Sequence, residues 1–220
     1  MSGRDAAEAI ERLDAITRRL RVECPWDREQ DERSIVPHTV EEAYELADAA
    51  AQGDDAKLVD ELGDVLFQVH FLALLLEERG AGSLSAVAEG IAAKLIRRHP
   101  HVFEDSEARA MLADADAETA RDVLANWDRI KREVEGRGAD DPFADVPENL
   151  PGLLYARKVL RRADPDGGGT PPTGAAREHA EHFVGEAMLE LVRLARRLGV
   201  DPELAVRAAA ARARAAARDA

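Results

Sequence analysis

The sequence predicts an all-α protein whose core is a bundle of antiparallel helix hairpins, and three observations carry that prediction. The composition is 45% apolar and 34% charged but only 4% aromatic, with abundant Ala, Leu, Glu and Arg, the residues that enter helices at least cost. Apolar residues recur every three or four positions in segment after segment. Glycines at 53, 80, 82 and 199 fall between those segments, where chain reversals are needed. A chain of 220 residues has room for one or two domains with a core of their own.

The first helix is expected over about Asp5–Arg21, with Ile10, Leu13, Ile16 or Thr17, and Leu20 on one face. It ends near Cys24-Pro25, because proline disfavours helix in the residue before it. The stretch CPWDREQDERSIVPHT reads as a polar loop, with Trp26 either tucked onto the bundle or bordering a ligand pocket. Thr39 and Glu42 have the spacing of a capping box that starts the second helix, whose apolar stripe is Val40, Ala43, Tyr44, Ala47 and Ala51.

Gly53-Asp54 marks a turn into a third helix, about Ala56–Arg79. From Val65 to Leu76 this helix is apolar almost all round, so more than one face must be covered. Neighbouring helices can cover part of it, and a second copy of the chain is the natural source of the rest, which makes a homodimer the expectation. A fourth helix follows from about Leu84 to Arg98, capped by Ser83 or Ser85, with Val87, Ile91 and Leu95 inward. Residues 104–117 read as a loose connection, and 118–135 as a fifth helix.

Beyond it, 136–145 reads as a flexible linker and 152–163 as a short helix. Residues 164–174, DPDGGGTPPTG, have no basis for a core. Two last helices are expected at about 176–198 and 202–217. Gly185–Leu189 overlays Gly63–Phe67, so this end resembles a second copy of the third helix, with Phe183 where Glu61 stands and no acidic partner helix. The expected organisation is a catalytic domain at 1–135, a connecting segment at 136–163, a linker at 164–174 and a degenerate copy at 175–220.

Chemistry concentrates between His38 and Leu76. Glu41, Glu42 and Glu45 stand on one helix, and Glu61 and Asp64 on the next. Residues three or four apart share a helix face, so Glu42/Glu45 and Glu61/Asp64 form two matched pairs that a hairpin can set against each other. Such like charges repel, with only Lys57 nearby, and a hard divalent cation is the partner that suits them. The plainer reading is a solvated acidic face, although these acids adjoin an apolar run instead of lying opposite it.

Lys94 and Arg98 share a face of the fourth helix, which the helix dipole alone would explain and which also suits phosphate oxygens. Trp127 and Lys131 are four apart on the fifth helix, as a base-and-phosphate contact or as a snorkelling surface pair. Several functional classes are poorly supported. The net charge of −14 disfavours binding to a nucleic acid polymer or an anionic membrane. Twelve residues of apolar run interrupted by Gln68 and His70 are too few to span a bilayer. One cysteine forms no internal disulfide and, without an apolar signal core at the N-terminus, points to the cytoplasm. A di-iron carboxylate bundle would carry Glu-x-x-His pairs, and none occurs.

From about Leu13 to Arg161 these segments, in this order, resemble the MazG nucleoside triphosphate pyrophosphohydrolases. The matching stretches are CPWD at 24–27, Gln30, TVEEAYEL at 39–46, DELGDVLFQV at 60–69, KLIRRHPHVF at 94–103, Trp127 with Lys131, and LPGLLYARK at 150–158. The resemblance implies a dimeric all-α fold and hydrolysis of an NTP or dNTP to the monophosphate and pyrophosphate, dependent on Mg²⁺, with Mn²⁺ as a substitute. By matching positions it implies that Glu42, Glu45, Glu61 and Asp64 are metal ligands and that Glu41 orients water. Lys94, Arg98, Trp127 and Lys131 would contact the nucleotide, with Trp26 beside them. The expectation of another class is a catalytically weak, dimeric helical interaction module.

Overall fold

The computed structural model describes residues 3–103, 107–111, 116–117, 119–136, 141–164 and 171–218. Every regular element among them is a helix: α1 (Gly3–Glu23), α2 (Pro25–Glu29), α3 (Glu32–Gln52), α4 (Asp55–Glu78), α5 (Leu84–Arg98), α6 (Glu107–Met111), α7 (Ala120–Glu133), α8 (Gly152–Ala163), α9 (Ala175–Leu198) and α10 (Pro202–Arg218). The chain divides into two compact units, Met1–Ile96 and Arg97–Ala220. No helix among the described residues is long and apolar enough to cross a membrane.

In the first unit α3 and α4 pack on each other through a turn at Gly53, which takes the left-handed conformation (φ 69°) that glycine adopts without strain. The helix before the turn begins earlier than the Thr39 capping box predicts. Asp31 is the cap: its carboxylate accepts from the Ser34 N–H at 2.8 Å while Ser34 Oγ accepts from the Asp31 N–H at 2.9 Å. Pro37 sits inside the helix, where its missing N–H leaves one bond unmade near the N-terminus. Thr39 instead donates to the Ile35 carbonyl at 3.3 Å, so Glu42 has no capping duty.

Most of the expected loop at 24–38 is therefore helical, as α2 and the first turns of α3. Ile35 near the start of α3 meets Phe71 and Leu75 near the end of α4 in a buried cluster flanked by Phe67 and Leu72. α1 lies against α4 through ion pairs, Arg18 to Glu77 at 2.7 Å and Arg21 to Glu78 at 2.8 Å. The buried Thr17 satisfies its hydroxyl on the Leu13 carbonyl.

Val59, Leu62, Leu66 and Val69 leave an apolar stripe of α4 exposed. Val87, Ile91 and Leu95 of α5, expected inward, are also exposed in the single chain, at 41–48%. The helical period is right, but the first unit does not bury that face.

The second unit holds a different surprise. The stretch 141–150, whose first half falls in the linker expected at 136–145, folds into turns that bury Phe143 and Val146 against Tyr155 and Val159 of α8 and Ala210 of α10. Arg207 of α10 donates to the backbone carbonyls of Glu148 and Leu150, and Arg218 pairs with Asp141. α9, by contrast, buries none of its residues: Phe183, Leu191, Leu194 and Leu198 stay exposed. Parts of the 104–117 and 136–145 stretches and most of the 164–174 linker lie outside the described residues.

Gly152 starts α8 where it touches α10. Its N–H donates to Glu203 Oε1 at 2.5 Å, and a Cβ there would lie 2.6 Å from Val206 Cγ1 and 2.7 Å from Glu203 Oε2. Gly152→Ala is therefore expected to destabilise the α8–α10 contact by about 1–3 kcal/mol, since a valine methyl on a helix has little room to yield. A lower urea midpoint for the variant would register it, and an unchanged midpoint would mean that α10 shifts at no cost.

Candidate active site

Glu45 and Glu61 lie at equal distances along the chain on either side of Gly53, eight residues before it and eight after. Folding α3 against α4 therefore sets them side by side, and the 3.6-residue period adds Glu42 one turn away on α3. One carboxylate oxygen from each of Glu42, Glu45 and Glu61 lies within 4.8 Å of the others. Glu45 is exposed and Glu42 half-buried, whereas Glu61 is only 5% exposed.

Glu61 Oε2 is buried without a hydrogen-bond partner. Its other oxygen has Lys57 Nζ 4.0 Å away, and the same ammonium lies 3.8 Å from Asp48. Burial is the main force raising the pKa of Glu61 above the ordinary carboxylate value, with Glu45 adding to it and Lys57 opposing it. Burial also raises Glu42, followed by the charges of Asp64, Glu45, Glu61 and Glu41. A buried carboxylate oxygen with nothing to bond, facing two further carboxylates, is a donor set for a hard divalent cation.

Asp64 stands one turn beyond Glu61, exposed and outside the three-carboxylate group, but close enough to be the largest single charge acting on Glu42. Glu41 is exposed, with His38 Nδ1 3.8 Å away. Trp26, also exposed, meets the His38 ring edge-on at 5.9 Å. The indole of α2 is thereby set against α3 one turn before Glu42.

Lys94 is half-buried on α5. Arg98, in the second unit, is engaged by a residue the sequence did not single out. Its Nε and Nη2 donate to Glu135 at 3.0 and 2.7 Å, and Arg97 donates to the same carboxylate at 3.0 and 2.8 Å. Both guanidiniums, Arg98 before Arg97, hold Glu135 at a pKa of about 2. Trp127, half-buried on α7, meets the His99 ring edge-on at 5.3 Å, and its Nε1 is buried without a partner. Lys131 lies on α7, but its side chain falls outside the described residues. A carboxylate just past a helix C-terminus stands at the negative end of the dipole and needs cations. That is the one sequence signal that could have drawn attention to Glu135.

An all-α chain with carboxylates gathered on a helix pair defines a class of acidic, cation-suited helical proteins, and comparison with known sequences narrows it. Residues 30–103 match the model of the MazG nucleotide pyrophosphohydrolase domain. The chain is 33% identical over 225 positions to the nucleoside triphosphate pyrophosphohydrolase/pyrophosphatase MazG of Thermotoga maritima, covering 94% of this chain and 83% of that one. It is 43% identical over 157 residues to the nucleoside triphosphate pyrophosphohydrolase of Escherichia coli K12, covering 70% of this chain. That match spans only 56% of the E. coli protein's length. The chain belongs to the MazG family.

Proposed function

We propose that the chain hydrolyses nucleoside triphosphates, ribo or deoxy, to the monophosphate and pyrophosphate, using Mg²⁺ or Mn²⁺ and acting as a homodimer. The observation that carries this reading is the Glu42–Glu45–Glu61 group with its buried, partnerless Glu61 oxygen. Those three residues, with Asp64, would hold the metal. When bound, a divalent cation supplies Lewis acidity toward phosphate oxygens and offsets the charge of both the site and the substrate.

The residues of the chain do the rest. Glu41, outside the three-carboxylate group, orients water for addition to the α-phosphorus, and the bond from that phosphorus to the bridging oxygen of the leaving pyrophosphate breaks. Lys94 and Arg98 offset charge on the phosphates. Trp127, with Lys131, and Trp26 are the ring contacts for the base, whose identity no side chain described above dictates. The exposed apolar stripes of α4 and α5 are the surface a second copy would cover, larger than scattered single residues would be.

The relatives named for this reaction support the reading, and so does the charge of the chain. At −14 a cation would offset the repulsion that a triphosphate meets. A catalytically weak interaction module is the second reading, favoured by the exposed face of α9. It leaves the buried Glu61 carboxylate without a reason.

A screen of standard and oxidised NTPs and dNTPs with pyrophosphate as the readout tests the proposal. Release is expected in Mg²⁺ and none in EDTA, and equal rates in both would reject it.

A further inference from the structure

We propose that Glu135 is an internal competitor for phosphate, occupying the gripping faces of Arg97 and Arg98 until a polyphosphate displaces it. The inference rests on the reading above that Arg98 meets phosphate. Each arginine engages Glu135 through both Nε and Nη2, the edge of the guanidinium that forms paired bonds with oxyanions. Two such edges converging on one carboxylate at 2.7–3.0 Å make an oxyanion cradle that already has an occupant. Glu135 is well placed for the role because its side chain is only 6% exposed and water does not compete for it.

The backbone fixes Glu135 there. Its N–H reaches back to the carbonyl of the buried Ile130 at 2.9 Å, and Gly136 follows in the left-handed conformation (φ 61°), a helix-terminating arrangement. Yet the carboxylate sits at the negative end of α7, in a field that disfavours it. A polyphosphate brings more negative charge and more acceptor oxygens to the same donors. Protonation does not open the cradle near neutral pH, because the two guanidiniums hold Glu135 at a pKa of about 2. Displacement by a stronger anion is the route that remains.

Calorimetric titration of the full chain with inorganic tripolyphosphate, without divalent metal, reads the arginines separately from the carboxylate group. Glu135→Gln is expected to tighten binding by about tenfold, the factor that follows if the clamped form holds about nine-tenths of the population. Glu133→Gln makes the same change of charge two residues away on an exposed side chain and is expected to stay within about twofold of wild type. The double variant Arg98→Ala/Glu135→Gln should lose the gain.

Glu135→Asp keeps the charge but shortens the reach, serves if the Gln variant does not fold, and should bind with intermediate affinity. Unchanged or weaker binding in Glu135→Gln, or an equal gain in Glu133→Gln, would overturn the proposal. If Arg98→Ala alone binds tripolyphosphate like wild type, the phosphate reading of Arg98 fails and the competitor falls with it. If Arg98→Ala weakens binding but Glu135→Gln does not tighten it, only the competitor is lost.

Discussion

Glu61→Gln is expected to lower pyrophosphate release by about two orders of magnitude or more, which is about 2.7 kcal/mol at the transition state. The same variant is expected to make the metal-free protein more stable. Glu61 is the buried member of the carboxylate group and has an oxygen with no partner. As an ion it suffers both burial and repulsion from Glu45. An amide of the same shape removes the charge, and its NH₂ can donate to the neighbouring carboxylates, a satisfied arrangement in place of an orphaned one.

The effect has a pH signature. The folded pKa values of Glu42 and Glu61 lie above their unfolded values, so the folded apoprotein binds protons more readily than the unfolded chain. Stability from these groups is fully present below the unfolded value near 4.5 and is lost as pH rises through the folded values. Glu135, Glu77, Glu78 and Asp141 are shifted the opposite way, so their contributions vanish at lower pH, for Glu135 between about 4.5 and about 2. Thermal unfolding in EDTA should thus show wild type losing stability from pH 5 upward more steeply than Glu61→Gln. Parallel curves would mean that Glu61 is not a strained carboxylate.

Truncation after Arg162 is the second large effect. It removes α10, which covers Tyr155 and Val159 and helps to bury Phe143. Each large apolar side chain returned to water forfeits roughly 1.5–3 kcal/mol, and the carbonyls of Glu148 and Leu150 lose Arg207. Residues 141–162 are expected to lose their fold and become quickly cleaved by protease. The carboxylate group on α3 and α4 needs none of these contacts, so the truncated chain should still bind metal and release pyrophosphate, with lower stability or an altered oligomeric state. Loss of all turnover in a truncated chain that remains dimeric and metal-binding would show that residues 163–220 contribute to the reaction.

The acidic group was legible because it follows from local rules alone. Helical spacing pairs the acids on each helix, and a turn midway between Glu45 and Glu61 gathers Glu42, Glu45 and Glu61, with Asp64 outside the group. Helix ends were legible where one signal stood unopposed, as at Gly53 and Gly199, and misleading where two competed. The Asp31–Ser34 cap starts α3 ahead of Pro37, since proline near a helix N-terminus removes only one bond. Phe143 and Val146 escaped notice because two isolated apolar residues among Asp, Pro and Glu carry no periodicity. They are core only because α10, far along the chain, covers them. Glu135 was hidden for the same reason: its meaning lies in partners 37 and 38 residues away.

Lys57 gives the acidic site a counter-charge of its own. With no ion bound, the gathered carboxylates repel one another across α3 and α4. The ammonium, 3.8 Å from Asp48 and 4.0 Å from Glu61, is a resident monovalent charge set against that repulsion. On the proposed metal-dependent reading, a divalent ion would come to a group whose charge Lys57 already offsets in part.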